Sequence, residues 1–251
     1  MKRLVDCMEV GVSIERAKEL ISACKLNLSS ETIHLDKANG RILAKGLISK
    51  VNDPRFDNSA MDGWAVKEED CSSTNTAILR IVGTIQAGSE SVHTIESGEA
   101  CKITTGAPIP EGADAIVIVE NSRIEGENVI ITGQAKKSFI RIKGENLSKG
   151  KLAIPEGTCM GSSTISLAAT MGYDEISVFR KPVIGIISTG DELVMPNSEI
   201  KDRQIFESNS FGIAALIEKM GGKPVRYGIV TDSIDQLRET MNDAVENCDA
   251  L

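Results

Sequence analysis

Residues 183–230 read VIGIISTGDELVMPNSEIKDRQIFESNSFGIAALIEKMGGKPVRYGIV, and this stretch decides the fold. Val183–Ser188 is an unbroken apolar run, which predicts a strand covered on both faces. Ser210–Met220 carries apolar residues at helical spacing and is closed by Gly221-Gly222. Val225–Val230 reads as a second strand. Ser233–Cys248 then reads as a second helix, with Ile234, Leu237, Met241, Val245 and Cys248 on one face and Ser233 and Gln236 at capping-box spacing. Strand, helix, strand, helix is the start of a doubly wound parallel sheet. Residues 179–251 hold only these four elements, and no strand follows Leu251, so the α/β domain reads as incomplete.

Upstream the texture changes twice. Between 138 and 178 the pattern is mixed: Phe139–Ile142 predicts a strand, Ser163–Met171 a helix stopped by Gly172, and Glu175–Phe179 another strand. Residues 52–137 look all-β, with runs at Ala77–Val82, Ala100–Thr104, Ala115–Glu120 and Asn128–Thr132 separated by Gly, Asn, Pro and Ser clusters. Before them, Ser13–Lys25 predicts a helix capped by Ser13, with Ile14, Ala17, Leu20, Ile21 and Cys24 on one face, and Thr32–Leu35 a short strand.

Composition narrows the function classes. Of 251 residues, 41% are hydrophobic and 25% charged, enough for buried cores. Aromatics are 3%, which disfavours a base-stacking surface, and a net charge of −8 disfavours nucleic-acid backbones and anionic membranes as partners. No run approaches the ~20 apolar residues of a membrane span, and Met1-Lys2-Arg3 leads into no signal-type core. Cys7, Cys24, Cys71, Cys101, Cys159 and Cys248 are scattered with no Cys-x-x-Cys pair, which predicts reduced, mostly core thiols and a cytoplasmic location.

Four polar segments stand out. Pro54–Val66 crowds Asp57, Asn58, Ser59 and Asp62 ahead of Gly63 and the single Trp64; such residues also satisfy turns. Thr104–Asp114 is a Pro- and Gly-fixed loop that presents Thr104 and Thr105 hydroxyls and backbone N–H groups, either as a rigid connection or to an anion. Arg141–Asn146 places Arg141 and Lys143 beside Glu145, a solvated ion cluster or an oxyanion ligand. Ser188, Thr189, Gly190, Asp191 and Glu192 follow the C-terminal end of a buried parallel strand, where open α/β sheets bind ligands, and the paired acids suit Mg²⁺. There is no phosphate-loop or dinucleotide fingerprint and no His-Glu-x-x-His. His34 and His93 alone are little material for a histidine triad.

In this order the segments resemble one family, the MoeA-type molybdopterin molybdotransferases, which include the gephyrin E-domain. The resemblance rests on DNSAMDGWAV at 57–66, ITTGAPIPEGADAIVIVE at 103–120, RIKGEN at 141–146, IGIISTGDELVMP at 184–196 and ESNSFGIAALIEKMGG at 207–222. Trp64 stands where the family more often has Tyr, and Asn146 where it commonly has Asp. The resemblance implies a multidomain α/β plus β fold. Residues 1–51 and 138–178 would form a discontinuous, elongated dimerisation domain. Residues 52–137 would be a β-rich insertion, and 179–251 an incomplete domain like a free-standing molybdopterin adenylyltransferase.

It also implies a homodimer whose active cleft lies between the β-rich domain of one subunit and the α/β domain of the other. The implied reaction inserts molybdate into adenylylated molybdopterin and releases AMP, with Mg²⁺ as cofactor. The molybdopterin adenylyltransferase is a further implied partner. Carried over by position, the catalytic residues are Asp62, Thr105, Arg141 and Glu192. The substrate ligands are Ser59, Thr104, Ser188, Thr189, Gly190, Ser208 and Asn209, with phosphate expected at the helix opened by Ser208. The metal ligands are Asp191, Glu192 and Asp62. The competing reading on the same fold is a non-catalytic dimeric scaffold or a silent paralogue.

Overall fold

The computed structural model describes residues 11–72, 76–90 and 93–251; the readings of Met1–Arg3 and of Cys7 lie outside the described residues. The chain divides into two compact units. One comprises the described residues up to Ile33 with Gly40–Ala44 and Ser177–Leu251, and the other His34–Asn39 with Lys45–Ile176.

The first helix, α1 (Ile14–Ala23), forms as expected. The Ser13 hydroxyl accepts the Arg16 N–H at 3.1 Å, satisfying one of the orphan donors of its first turn. Its apolar face is exposed, with no buried residue on the helix. Next come β1 (Ser30–His34), β2 (Leu47–Ile48) and β3 (Asn58–Ser59).

The β-rich part is built from β4 (Gly63–Val66), a short helix α2 (Glu68–Ser72), β5 (Ala77–Ile85), β6 (Glu99–Ile103), β7 (Ala115–Ile118), β8 (Ser122–Glu125) and β9 (Asn128–Ile131). The strands make one mixed sheet in the order β7-β4-β6-β5-β9-β8, with only β5 and β6 parallel. Both faces are covered. Trp64, Val66, Leu79, Val117, Val129 and Ile131 pack on one side, and Ala65, Ile85, Ile95, Cys101, Ile103 and Ile116 on the other. The alternation of Trp64 and Ala65 between two clusters is the period-2 geometry of a strand. Each large side chain buried there contributes about 1.5–3 kcal/mol. The Trp64 indole N–H donates to the Ser122 hydroxyl at 2.8 Å, so the largest ring in the core leaves no donor unpaired. A Cβ on Gly63 would stand 1.9 Å from the Val117 carbonyl oxygen; glycine alone lets β4 and β7 close here.

All four predicted β runs are strands, but Ala115–Glu120 ends early because Val119–Asn121 turns into a 3-10 helix. Two strands of this sheet escaped the sequence reading. β4 is four residues long and opens on Gly, and β8 is a Ser-Arg-Ile-Glu stretch with no buried residue.

Phe139–Ile142 is a strand only at β10 (Ile140–Arg141), because Lys137–Phe139 is a 3-10 turn; β10 pairs antiparallel with β3. β11 (Leu152–Ile154) pairs antiparallel with β2, α3 (Ser162–Thr170) matches its expected helix, and β12 (Glu175–Phe179) pairs with β1.

The α/β part comprises β13 (Val183–Thr189), β14 (Leu193–Val194), β15 (Ile205–Phe206), α4 (Asn209–Lys219), β16 (Lys223–Val230) and α5 (Ile234–Asn247). β13 and β16 are parallel, the β-α-β unit expected from the opening stretch. Four details refine the sequence reading. In β13 only Gly185 and Ile186 are buried, so its cover is thinner than an all-apolar run implies. Ser233 makes no side-chain cap, and the Gln236 side chain accepts the Thr231 hydroxyl at 2.5 Å rather than completing a capping box. The inward face of α5 runs through Leu237, Ala244 and Cys248, while Ile234, Met241 and Val245 are exposed. The chain after α5 also returns to the sheet: Ala250 bridges Ile184 in parallel, and Gly185 N–H donates to the Ala250 carbonyl at 2.8 Å. A third parallel position therefore exists where two strands were expected.

The five described cysteines are free. Cys71 and Cys101 are core residues whose thiols burial pushes up to about 11, but Cys24 and Cys159 are exposed and Cys248 lies between, so the thiols are not mostly core. No described helix is long and apolar enough to cross a membrane.

Candidate functional site

In the β-rich unit the turn Asp57–Asp62 holds two other predicted segments together. On one side Ser59 N–H donates to the Ala107 carbonyl at 3.0 Å and Gly106 N–H to the Ser59 carbonyl at 2.8 Å. Asp62 Oδ1 accepts both the Thr105 N–H at 2.7 Å and the Thr105 hydroxyl at 3.0 Å. These bonds hold the Asp62 carboxyl below the usual aspartate range, the backbone bond most, and neither uses Oδ2. Thr104 fixes the same loop from behind, its Oγ1 accepting the Ala87 N–H at 3.1 Å.

On the other side β3 pairs with β10, which sets Arg141 opposite Asn58. Arg141 Nε donates to Glu145 at 3.2 Å, and the other Glu145 oxygen accepts the Ile142 N–H at 3.0 Å. The 143–149 turn is laced to the 52–57 segment. Lys143 N–H donates to Asp57 at 2.7 Å, Asn146 Nδ2 to Asp53 at 3.0 Å, and Lys149 N–H to Asn52 at 2.8 Å. The segments that carry Thr104, Thr105 and Arg141 are thus tied to the turn that carries Asp62. Ser59 belongs to it through its backbone, since its buried hydroxyl is spent on the Met61 carbonyl at 2.6 Å.

In the α/β unit a cavity of about 400 Å³ opens at the C-terminal end of β13, lined by Ser188, Thr189, Glu207, Ser208, Asn209 and Ser210 with apolar residues around them. Sequence reasoning missed Glu207, although a Glu just ahead of Ser208-Asn209 at a helix start is a legible signal. Its residue is 3% exposed. Its carboxylate accepts the Ser210 N–H at 2.7 Å, the Ser210 hydroxyl at 2.6 Å and the Ser188 hydroxyl at 3.2 Å. Burial works to raise its pKa, but the two Ser210 bonds, the Ser188 bond and the charge of Arg226 outweigh it and hold the group below the usual glutamate value.

Gly190, Asp191 and Glu192 lie past the cavity rather than in its lining. Gly190 has φ +146°, and a Cβ there would meet Glu192 Oε2 at 2.7 Å, so glycine lets this carboxylate fold back over the loop. Asp191 Oδ1 accepts the Asp232 N–H at 3.2 Å, which joins the loops after β13 and β16. Among the described residues no three His, Cys, Asp or Glu side chains gather into a metal site.

Comparison with known proteins places these features. Residues 12–172 match a family described as the MoeA N-terminal region (domain I and II), and residues 185–251 one described as a "Probable molybdopterin binding domain". A molybdopterin molybdenumtransferase of Nostoc sp. is 37% identical over 226 residues, covering 88% of this chain and 52% of the relative. One of Staphylococcus epidermidis is 33% identical over 248 residues, covering 96% and 58%. The crystal structure of a molybdopterin biosynthesis moeA protein from Pyrococcus horikoshii OT3 superimposes with a TM-score of 0.87 at 31% identity, over 94% of this chain and 64% of that one. The chain spans about half the length of the curated relatives it matches. The domain match, the identities and the shared fold agree, and the chain belongs to the MoeA family.

Proposed function

We propose that this chain acts in molybdenum cofactor biosynthesis, in the step that inserts molybdate into adenylylated molybdopterin and releases AMP. The observation that carries the reading is the grip of the Asp57–Asp62 turn on Thr105 and on the Arg141 strand. It holds a carboxylate with one open oxygen and a guanidinium on rigid elements. A guanidinium recognises oxyanions. Arg141 would orient the molybdate or phosphate oxygens, with Glu145 holding its guanidinium, and Asp62 would orient a water through its open Oδ2. In the α/β unit Ser188, Thr189, Ser208 and Asn209 would hold the organic substrate, with Gly190 giving close backbone approach.

Mg²⁺ fits the loop after β13. Asp191 and Glu192 are hard oxygen donors, only one Asp191 carboxylate oxygen is engaged, and no described residue donates a hydrogen bond to the Glu192 carboxylate. Mg²⁺ characteristically takes one or two carboxylates and completes its shell with water and substrate phosphate. When bound, the ion supplies charge neutralisation at the pyrophosphate being cleaved. We further assign the domain division 1–51 with 138–178, 52–137 and 179–251, a cytoplasmic homodimer, and supply of substrate by a molybdopterin adenylyltransferase.

The test is AMP release from adenylylated molybdopterin by the full-length protein. Release that depends on molybdate and falls in Arg141→Ala and Glu192→Ala supports the reading. Release independent of molybdate overturns it.

A further inference from the structure

Asn39-Gly40 is the only Asn-Gly step in the chain. The pair forms the turn after the 3-10 helix Leu35–Lys37, and Gly40 takes φ +73°, a left-handed conformation that glycine adopts freely. Both residues are exposed. Neither the Asn39 side chain nor the Gly40 N–H has a hydrogen-bond partner among the described residues. A Cβ placed on Gly40 would meet nothing within 4 Å, so its main-chain nitrogen is open to approach.

Asparagine is among the chemically labile side chains, and an exposed turn gives it room to react. Water or hydroxide takes the Gly40 amide proton, the nitrogen attacks Asn39 Cγ, the Cγ–Nδ2 bond breaks, and ammonia leaves with a proton. The resulting succinimide takes up one water. Opening at the Cγ carbonyl gives aspartate. Opening at the main-chain carbonyl gives isoaspartate, whose main chain runs through Cβ and Cγ and is one methylene longer.

The chain holds one other step open to this cyclisation, Asp62-Gly63, and there the fold closes it. Asp62 Oδ1 is bound twice by Thr105, Gly63 is paired on both sides with Ile103 and Ile118, and the Val117 carbonyl oxygen fills the space above it. Asn39-Gly40 has none of these restraints.

We propose that Asn39 is a self-modifying site that deamidates to aspartate and isoaspartate, and that the isoaspartyl form loosens the attachment of residues 41–44 to β12. Both sides of the turn are anchored. Ala38 is fully buried, and its N–H donates to the Leu35 carbonyl at 3.1 Å. Arg41 pairs with Glu31 and donates to the Phe179 carbonyl at 2.8 Å. Leu43 is fully buried and bridges Val178, and Ala44 N–H donates to the Ser177 carbonyl at 3.0 Å. The extra methylene has to be taken up between these fixed points, whereas aspartate adds only a charge.

The experiment ages the full-length protein in warm, mildly alkaline buffer and follows each asparagine by peptide mapping and mass spectrometry. Isoaspartyl groups are labelled with an isoaspartate-specific carboxyl methyltransferase. Asn39 should lose ammonia at least tenfold faster than any other asparagine of these 251 residues, and within them the label should map to it alone. Asn39→Gln, whose longer side chain must close a larger ring, should abolish that label. Hydrogen exchange at the Ala44 amide should quicken severalfold in the isoaspartyl fraction and stay unchanged in Asn39→Asp. An Asn39 that outlasts the other asparagines, a label at Asp62, or a label that persists in Asn39→Gln overturns the site. Unchanged Ala44 exchange in the isoaspartyl fraction overturns its effect on β12.

Discussion

Asp62 and Thr105 form a two-point clamp, one carboxylate oxygen receiving the backbone N–H at 2.7 Å and the hydroxyl at 3.0 Å of the same residue. The clamp draws the start of β4 and the loop after β6 together, and it lowers the Asp62 pKa from 3.8. A depressed carboxyl contributes its stabilisation above the unfolded value and loses it as pH falls through the folded one. The Thr105 amide shift should therefore titrate below pH 3.8, and the pH–rate profile of the full-length protein should show no Asp62 limb near neutrality. Asp62→Asn keeps an acceptor for Thr105 but removes the charge, so the fold should hold while the proposed molybdate insertion fails. An amide titrating above pH 3.8, or an active Asn variant, would show that this carboxylate is only a loop fastener.

Asn146 stands where its family commonly has Asp, and the structure gives it a partner of its own. Its side-chain amide donates to Asp53 at 3.0 Å, while its backbone N–H donates to the Asp53 carbonyl at 3.0 Å. Asn146→Asp would set two carboxylates against each other and delete the bond, at a cost of about 1 kcal/mol. Adding Asp53→Asn should restore most of that loss, the non-additivity expected of partners in contact. Urea unfolding followed by Trp64 emission, from the same unit, measures both. Equal stability of the single variant and the unaltered chain would mean the bond contributes nothing.

Trp64 is the only tryptophan, so its emission reports on the β-rich unit alone. The Ser122 hydroxyl accepts its indole N–H and donates to the Val119 carbonyl at 2.7 Å. Ser122→Ala strands a buried donor and should cost about 1–3 kcal/mol. Ser122→Thr keeps the hydroxyl and should cost less. If the two variants melt together, the hydroxyl's bonds are not what holds the ring.

Long-range pattern was legible in the sequence wherever one residue type repeated. The runs Ala77–Val82, Ala100–Thr104, Asn128–Thr132 and Glu175–Phe179 are strands because β-branched and apolar residues fill a half-buried pleat. β8 was invisible because its Ser-Arg-Ile-Glu residues face outward and are held by pairing with β9, which no local pattern encodes. Which part of the α5 stripe packs was illegible for a related reason. Large apolar side chains marked one stripe, but the helix packs through Ala244, whose small side chain permits close approach to the sheet. At the site, the polar segments could be named from sequence, but not how each donor is spent. Ser59 reads as a hydroxyl ligand until its bond to Met61 is seen, and Glu207 has meaning only once α4 starts beside Ser188.

Asp249 ties the α/β unit together at the point where the chain returns to the sheet. Both its oxygens take Arg180, at 2.5 and 2.6 Å, and one also takes the Val183 N–H at 2.7 Å. The guanidinium first and the Val183 amide second lower its pKa from 3.8 to about 2. The folded value lies below the unfolded one, so the contribution is complete above about pH 4 and disappears as pH falls through about 2. The protection factor of the Val183 amide should accordingly be flat from neutrality to about pH 4 and drop between pH 4 and 2. Asp249→Asn should lower protection at neutral pH and abolish that drop. Arg180→Lys should lower it as well, because an ammonium cannot reproduce the two parallel bonds of the guanidinium fork. A Val183 amide equally protected in all three chains, or one whose protection falls with pH in Asp249→Asn as it does in the parent, would show that the return of the chain to β13 is held by Gly185 and Ala250 and not by this ion pair.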